Sequence, residues 1–430
     1  MKILFCCEFY SPSVGGVQEV MRQIAERLVE NGHQVTIATS KLPDRNFTNL
    51  NGVSIKEFSV SGNLVRGITG EESRYRQYVI DGNFDVLMIK AAQQWTFDAL
   101  WPVLEKIKIP KVFIPCGFSC FMEPAYVNYF TNLPEVLRKF DHLIFYATDY
   151  RDINFAKQNG IANFSIIPNG ASEKEFNVVV DATFRSRNDI PKDAFTMLTV
   201  GSFTGMKGHL ELCHAFDKLT LRPDVDAVLI LNGNSTASRS VVSLLRDTML
   251  LIFKKGGVRY LARYALRSLL RGIGIRVGKY TSIDLMALAI HKRDKHKKVL
   301  VRNFSRSELI QAYMASDLFV FASNVEYSPL VLFESAAAGV PFLSVDVGNS
   351  MEIANWTESG EICPSEKNNT GYTIVSVDIL SKKMAEMMSD IPRLREMGAR
   401  GRLNWSKRYT WHEITKQYEY IFTNLVERRV

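Results

Sequence analysis

The sequence lacks the features that mark membrane-spanning, secreted and disulfide-stabilised proteins. None of its 430 residues falls in an apolar run that reaches the ~18 residues of a membrane-spanning helix. The N-terminal apolar run ends at Glu8 and is too short for a signal peptide. The six cysteines form no ligand pattern, and only Cys116 and Cys120 are close enough to suggest a metal or a disulfide. We therefore expect reduced thiols and a cytoplasmic protein, either free or peripheral on the inner face of a membrane.

Length and patterning indicate two α/β domains. A chain of 430 residues is too long for one ordinary core. Strand-like runs within residues 2–7, 35–38, 85–89, 112–114, 143–145 and 165–167 alternate with helical patterns. This alternation predicts a parallel doubly wound sheet in residues 1–175. A polar link then leads to a second α/β unit, which we place at residues 185–410.

The stretch from Asn324 to Pro341 is the most informative part of the sequence. Ser328-Pro329 is typical of an N-cap followed by proline at the first helical position, and Leu330 to Ala338 then form a helix that Gly339 ends. The first backbone N–H groups of a helix carry about half a positive charge, which suits a diphosphate. Glu326 lies before this helix start, and Glu334 lies within the helix.

Two carboxylates around an anion site suit a ligand with a charged middle and a hydroxylated group at each end. A nucleoside diphosphate sugar is such a ligand. The alternative is a capped core helix with two solvated acids. Gly15 and Gly16 follow the first strand, where backbone without side chains could approach a ligand, although a purely structural turn is equally compatible with them. Lys207 lies in a glycine-bearing loop and could neutralise a departing diphosphate, or could simply be solvated.

These motifs together resemble the retaining glycosyltransferases of family 4. The resemblance rests on Glu326 to Pro341 and extends to five further stretches: Gly15-Gly16-Val17, Ile167 to Gly170, Val200 to Gly208, Leu231 to Asn234 and Trp411 to Tyr418. It implies the GT-B fold, with two Rossmann-like domains whose parallel sheets face a central cleft. A C-terminal helix over residues 411–430 would return to the N-terminal, acceptor-binding domain, and the second domain would bind the donor.

The resemblance also implies the roles of the site residues. Glu326 would hold the transferred sugar and Glu334 the ribose. Lys207 and the amides near Leu330 and Val331 would stabilise the diphosphate, with Gly15, Gly16 and Ser328 beside it. The family frequently has arginine where this chain has Ser202, and histidine where it has Cys116. These two departures put a phosphate ligand and the sugar preference in doubt.

A strongly basic segment is predicted as an insertion over residues 235–302. Residues 239–302 contain 16 lysines and arginines against three aspartates, whereas the whole chain has a net charge of +8. Arg259, Arg263, Arg267 and Arg271 recur at helical spacing opposite an apolar side. This basic amphipathic helix either contacts an anionic membrane or packs on its own domain. No motif or stacking aromatics accompany the charge, so nucleic acid is not expected as a partner.

No metal and no cofactor are predicted. Asp224 and Asp226 precede a strand, at the edge of the sheet where ligands do not bind, and we interpret them as a solvated turn. The predicted function is transfer of a hexosyl or related sugar from a nucleoside diphosphate sugar to a glycan or lipid-linked acceptor, for polysaccharide or glycoconjugate synthesis. A nucleotide-sugar epimerase and a non-catalytic binding or scaffold protein are the alternatives.

Overall fold

A computed structural model describes residues 1–233 and 279–429 of the chain. The amphipathic helix predicted around Arg259 to Arg271 lies outside these residues. The described part forms two α/β domains, each with its own parallel sheet and hydrophobic core. Within it, no helix is both long enough and apolar enough to cross a bilayer.

The first domain is built on an eight-stranded sheet. Its strands are β1 (Lys2–Cys6), β2 (Gln34–Ser40), β3 (Asn49–Leu50), β4 (Val53–Phe58), β7 (Val86–Lys90), β8 (Lys111–Ile114), β9 (His142–Phe145) and β10 (Phe164–Ile166), and β5 (Val60–Asn63) and β6 (Gly67–Gly70) form a separate hairpin. The order is β10-β9-β8-β7-β1-β2-β4-β3, and every pair is parallel except β3 with β4. The helices are α1 (Gly16–Glu30), α2 (Glu72–Asp81), α3 (Trp95–Asp98), α4 (Val127–Leu137) and α5 (Arg151–Gln158), with 3₁₀ turns at Trp101–Lys106 and Pro124–Tyr126.

The second domain is built on a six-stranded parallel sheet. Helices α6 (Glu173–Phe176) and α7 (Phe184–Arg187) lead into it, and its strands are β11 (Phe195–Val200), β12 (Ala227–Asn232), β13 (Lys297–Arg302), β14 (Leu318–Phe321), β15 (Phe342–Val345) and β16 (Gly360–Cys363), in the order β13-β12-β11-β14-β15-β16. The short strands β17 (Glu366–Lys367) and β18 (Thr373–Ile374) form an antiparallel pair. The described helices are α8 (His209–Lys218), α9 (Lys279–Arg293), α10 (Arg306–Met314), α11 (Leu330–Ala338), α12 (Ser350–Thr357), α13 (Val377–Met388), α14 (Ile391–Arg408) and α15 (Trp411–Glu427).

The central strands are apolar because helices cover both faces of each sheet. All five residues of β7 are buried, and so are the six residues of β12. Helix α15 places Trp411, Ile414 and Tyr418 in the same core as strand β1 of the first domain. The last helix of the chain is therefore part of the first domain's packing.

The chain crosses between the domains twice, and the two crossings are hydrogen-bonded to each other. Ala171, on the first crossing, forms a parallel bridge with Thr410, on the second. The Ala171 amide donates to the Tyr409 carbonyl at 3.0 Å, and the Trp411 amide donates to the Ala171 carbonyl at 3.3 Å. A side chain on the preceding Gly170 would lie 2.4 Å from the Tyr409 carbonyl oxygen, so only glycine fits between the crossings.

The basic insertion predicted over residues 235–302 is too long at its C-terminal end. Strand β13 pairs with β12 along its whole length, and α9 packs against β13 and α8. Both elements are therefore integral parts of the second domain. The sequence interpretation was misled by their positive charges, because a basic residue need not lie on a solvated face: Lys292 and Arg293 are exposed, whereas Lys297 of β13 is buried.

Candidate donor-binding site

Helix α11 begins at the carboxyl end of the second sheet. It spans Leu330–Ala338 as predicted and ends at Gly339, which adopts a left-handed conformation with φ of 72°. Its N-cap is Pro329 rather than Ser328, and no side chain within residues 1–233 and 279–429 caps the helix start. Leu330 and Val331 are only half-buried, whereas Leu332 to Ala337 are buried. Most of the helix is thus packed in the core, and its first backbone amides face the space between the domains.

Lys207 and Glu326 form an ion pair beside this helix start. Lys207 Nζ donates to Glu326 Oε1, and Ser323 Oγ donates to the same oxygen at 2.9 Å. The two side chains remain 26% and 17% exposed. The loop that carries Lys207 is fixed to the loop that carries Glu326, since the Asn324 amide donates to the Met206 carbonyl at 2.9 Å. The two predicted catalytic residues therefore lie together.

Glu334 lies on the inner side of α11 and is almost entirely buried. Its Oε1 is 2.7 Å from Nη2 of Arg306, the first residue of α10, and its side chain is only 9% exposed. The same Arg306 guanidinium also binds Glu175, at 2.7 Å and 3.1 Å. Glu334 is therefore paired with one arginine, which it shares with the segment between the domains.

Gly15 and Gly16 bring the first domain to the start of α11. Gly16 opens helix α1, and a side chain built on it would lie 3.9 Å from Leu330 Cδ1. The tight turn expected here is absent, because Gly15 is fully extended, with φ of 176° and ψ of 168°, a conformation open to any residue. The absence of side chains at these glycines therefore provides space, and the backbone conformation of Gly15 does not require glycine. The starts of α1 and α11 face each other.

The two departures from the family pattern lie on either side of the cleft. Ser202 is half-buried in the loop of Lys207. Cys116 follows β8 in the left-handed region, with φ of 64°. Burial raises the pKa of the Cys116 thiol, and the nearby Lys90 ammonium opposes this effect. Lys90 is itself buried, with its pKa lowered to about 8 by desolvation, and it donates to the Tyr146 hydroxyl at 2.7 Å. A buried cation thus lies close to Cys116.

His209 is a buried neutral base directly behind the Lys207 loop. It opens helix α8, is 3% exposed, and its ring lies 4.7 Å from the ring of Phe203. Neither ring nitrogen has a hydrogen-bond partner among the residues that the structure describes. Burial, and secondarily the charge of Lys207, lower the pKa of His209 to about 4. The imidazole is therefore uncharged at neutral pH, and the Lys207 ammonium is the nearest cation on this loop.

The described residues contain no group of three histidine, cysteine, aspartate or glutamate side chains that could hold a metal ion. Asp226, one of the two acids assigned to a solvated turn, directly precedes β12 and pairs with the exposed His296 at 2.8 Å. These side chains lie at the amino-terminal ends of the parallel strands, whereas Glu326 follows the carboxyl end of β14.

Comparison with known proteins places these features in a known architecture. Residues 277–403 match the family model for glycosyl transferases group 1, a range that includes Glu326 and Glu334 but not Lys207. Sucrose-phosphate synthase from Thermosynechococcus elongatus has the same fold over 99% of both chains, with a TM-score of 0.69 and 16% identity. The fold is GT-B. Anabaena HepE in complex with UDP and glucose is also similar, with a TM-score of 0.64 and 14% identity over 99% of this chain and 100% of that chain.

Sequence comparison agrees with the structural one. N-acetyl-alpha-D-glucosaminyl L-malate synthase from Bacillus anthracis is 20% identical over 434 aligned residues, which cover 96% of this chain and 95% of that protein. The GT-B chain described here thus carries a glycosyl transferases group 1 domain, and the predicted fold of two parallel-sheet domains around a cleft is confirmed.

Sequence reasoning missed three groups at this site. Arg306 is the first residue of α10, and the capping box of Ser305 and Glu308 fixes where that helix begins, but nothing local to Arg306 indicates its ion pair with Glu334. Tyr150 and Tyr327 were not considered, because their contact joins two domains. The Pro115-Cys116-Gly117 turn was the available signal, since a glycine there indicates that another part of the chain approaches closely.

Proposed function

We propose that this GT-B protein is a retaining glycosyltransferase of family 4 that transfers a hexosyl or related sugar from a nucleoside diphosphate sugar to a glycan or lipid-linked acceptor. Such a reaction would serve the synthesis of a polysaccharide or glycoconjugate. The observation that carries the proposal is the open N-terminus of α11, with the Lys207–Glu326 pair on one side and Glu334 on the other.

Each group has a chemical reason for its proposed role. The diphosphate would lie against the first amides of α11, near Leu330, where the helix dipole favours negative charge. Glu334 would accept hydrogen bonds from ribose hydroxyls through Oε2, because Arg306 holds Oε1. Glu326 would accept hydrogen bonds from hydroxyls of the transferred sugar.

Lys207 would connect the sugar and the leaving group. An ammonium group has three donors, and Glu326 takes one of them, so Lys207 can keep this pair and still donate to a phosphate oxygen. As the glycosidic bond breaks, negative charge grows on the diphosphate and the ammonium stabilises it. The acceptor hydroxyl would attack from the face that the diphosphate leaves, and the configuration of the sugar would be retained.

Metal independence is part of the proposal. Lys207 and the α11 amides supply the positive charge for the leaving group, and transfer should therefore persist in EDTA. Loss of transfer in EDTA, with recovery on addition of Mg²⁺, would contradict this part of the proposal.

A donor screen tests the function. Release of nucleoside diphosphate from UDP-, GDP-, ADP- and dTDP-sugars is measured with and without saccharide and lipid-linked acceptors, beginning with UDP-glucose because HepE has been solved with it. A transferase releases diphosphate faster with acceptor. An epimerase converts the donor without acceptor, and a binding or scaffold protein binds the donor without turnover.

Membrane attachment through the basic segment is a separate proposal. Each lysine or arginine close to an anionic surface contributes about 1 kcal/mol, and residues 239–278 carry nine of them. We expect the full chain to co-sediment with phosphatidylglycerol vesicles at low salt, and a chain without residues 239–278 to stay in solution. This shorter deletion spares α9 and β13, which belong to the fold. If the full chain does not co-sediment, the protein is not peripheral to such membranes.

A further inference from the structure

The segment Glu326–Tyr327–Ser328 is held from outside its own domain at three consecutive residues. The Tyr150 hydroxyl donates to the Glu326 carbonyl at 2.7 Å, and the Tyr146 amide donates to the Tyr327 hydroxyl at 3.0 Å. Asn169, beside the first crossing between the domains, donates from Nδ2 to the Ser328 carbonyl at 3.0 Å. The backbone that carries Glu326 is therefore fixed by the first domain and the adjoining crossing.

The Tyr327 ring fills a slot in the first domain. It lies 5.5 Å from the ring of Tyr146 and 4.7 Å from the ring of Tyr150, centroid to centroid. A side chain on Gly117 would lie 2.9 Å from Tyr327 Cγ, so the slot requires glycine at that position. On the other side, a side chain on Gly348 would lie 2.3 Å from the Tyr327 carbonyl oxygen. The close fit indicates a specific contact between the two domains rather than incidental proximity.

Neighbouring residues of the second domain strengthen the same contact. The Glu352 carboxylate accepts hydrogen bonds from the Thr148 amide at 2.8 Å and the Asp149 amide at 3.1 Å. Asn349 Nδ2 donates to the Tyr146 carbonyl at 2.9 Å. Glu352 thus binds the first domain, and this contact, rather than the donor, accounts for its position in the cleft.

Glu334 and the α11 amides, which are assigned to the nucleotide, do not depend on the contact between the domains. Glu334 is held by Arg306, and the α11 amides belong to a helix packed in the core of the second domain. The side chain of Glu326 is also held within the second domain, by Lys207 and Ser323, but its backbone is held by Tyr150. Docking of the first domain therefore acts on the sugar end of the site.

We propose that Tyr150 and Tyr327 are positioning residues that place the Glu326 carboxylate for the transferred sugar, so that the site for the sugar is complete only when the two domains are docked. This inference rests on the proposed role of Glu326. A displacement of about 1 Å at a site can lower the rate about a hundredfold, so the hydrogen bond from Tyr150 to the Glu326 backbone can control the rate of transfer.

The first test separates the sugar from the nucleotide by calorimetry. Wild type, Tyr150→Phe and Tyr327→Phe are titrated with UDP-glucose, GDP-mannose and ADP-glucose and with the free diphosphates UDP, GDP and ADP. We expect the free diphosphate to bind both variants as it binds wild type. The extra affinity of the sugar nucleotide should fall about tenfold in each variant, the effect of one hydrogen bond. Tyr420→Phe, a replacement on an exposed face of α15, is the matched control.

The second test asks whether Tyr150 acts through Glu326. Tyr150→Phe is combined with Glu326→Gln, and transfer and sugar-nucleotide affinity are compared with the single variants. If Tyr150 positions Glu326, the tyrosine replacement has little further effect in the Glu326→Gln background. An equal loss in both backgrounds would show that Tyr150 acts independently and would overturn the inference.

The outcomes distinguish this inference from the proposed function. A wild-type protein that binds none of the six nucleotides contradicts the donor site itself. A wild-type protein that prefers the sugar nucleotide, with variants that keep the same preference, overturns the positioning role alone. Thermal unfolding of each variant identifies a general loss of folding, which would weaken binding of the free diphosphate as well.

Discussion

Replacement of Glu334 by glutamine changes one charge in the donor site and almost no volume. Wild-type Glu334 holds Arg306 at 2.7 Å through Oε1 and has a 9% exposed side chain. Arg306 keeps two hydrogen bonds to Glu175 in the variant, so its guanidinium remains paired. Glutamine can still accept a hydrogen bond from a ribose hydroxyl, whereas alanine cannot. The two replacements therefore form a graded series.

The expected loss follows from the strengths of the two kinds of hydrogen bond. A hydrogen bond to a charged group contributes about 1.5–3 kcal/mol and a neutral one about 0.5–1.5 kcal/mol. Glu334→Gln should lose the difference, about 1–1.5 kcal/mol, which is about a tenfold rise in the Kd for the nucleoside diphosphate. Glu334→Ala should lose the whole interaction, up to about a hundredfold.

Isothermal titration calorimetry with the free diphosphate measures both values, and thermal unfolding is recorded for each variant. Glu396→Gln is the matched control, because Glu396 lies on α14 with a 68% exposed side chain. If Glu334 only supports Arg306, the two variants will unfold at lower temperature but bind diphosphate as wild type does. Unchanged affinity in Glu334→Ala would refute the ribose assignment.

Three further predictions concern the loop of Lys207. Lys207→Met should lower kcat about a hundredfold, the effect of one leaving-group donor, in a diphosphate-release assay where the exposed Lys218→Met changes nothing. Ser202→Arg adds the arginine that the resembled sequences frequently have at this position, and it should tighten diphosphate binding measured by calorimetry. Unchanged or weaker binding would show that the loop cannot place a second cation against the diphosphate. Because the pKa of His209 falls from 6.5 to about 4 on folding, stability should fall by about 3 kcal/mol as the pH drops from 6.5 to 4. His209→Phe should remove this slope in urea unfolding, whereas replacement of the exposed His412 should not.

The sequence was sufficient to predict the structural features that depend on local chemistry. Helix α11 was placed at its observed bounds, because proline before it and Gly339 after it determine where a helix can begin and end. The predicted N-cap was wrong by one residue. The Ser328 carbonyl accepts a hydrogen bond from Asn169, and the Ser328 hydroxyl caps no amide in the part of the chain that the structure describes. The buried strands were recognisable because parallel strands covered on both faces are continuously apolar.

Features that depend on remote partners could not be predicted in the same way. Arg306 matters because it meets Glu175 and Glu334, which come from other parts of the chain. Tyr150 and Tyr327 are unremarkable in the sequence, and their importance comes from the approach of two domains. The end of the basic insertion was misplaced because charge marks exposure to solvent, and an edge strand such as β13 can be both charged and essential to the sheet.

The paired crossings at Ala171 and Thr410 restrict how the two domains can move. Two covalent connections that run side by side allow one domain to rotate about their common line. They resist sliding of one domain along the other and separation of the two domains. Opening of the cleft would then be a swing of one domain about this line, and every closure would return Tyr327 to the same slot. The axis itself, and not only the contacts across the cleft, would give this protein a reproducible closed geometry.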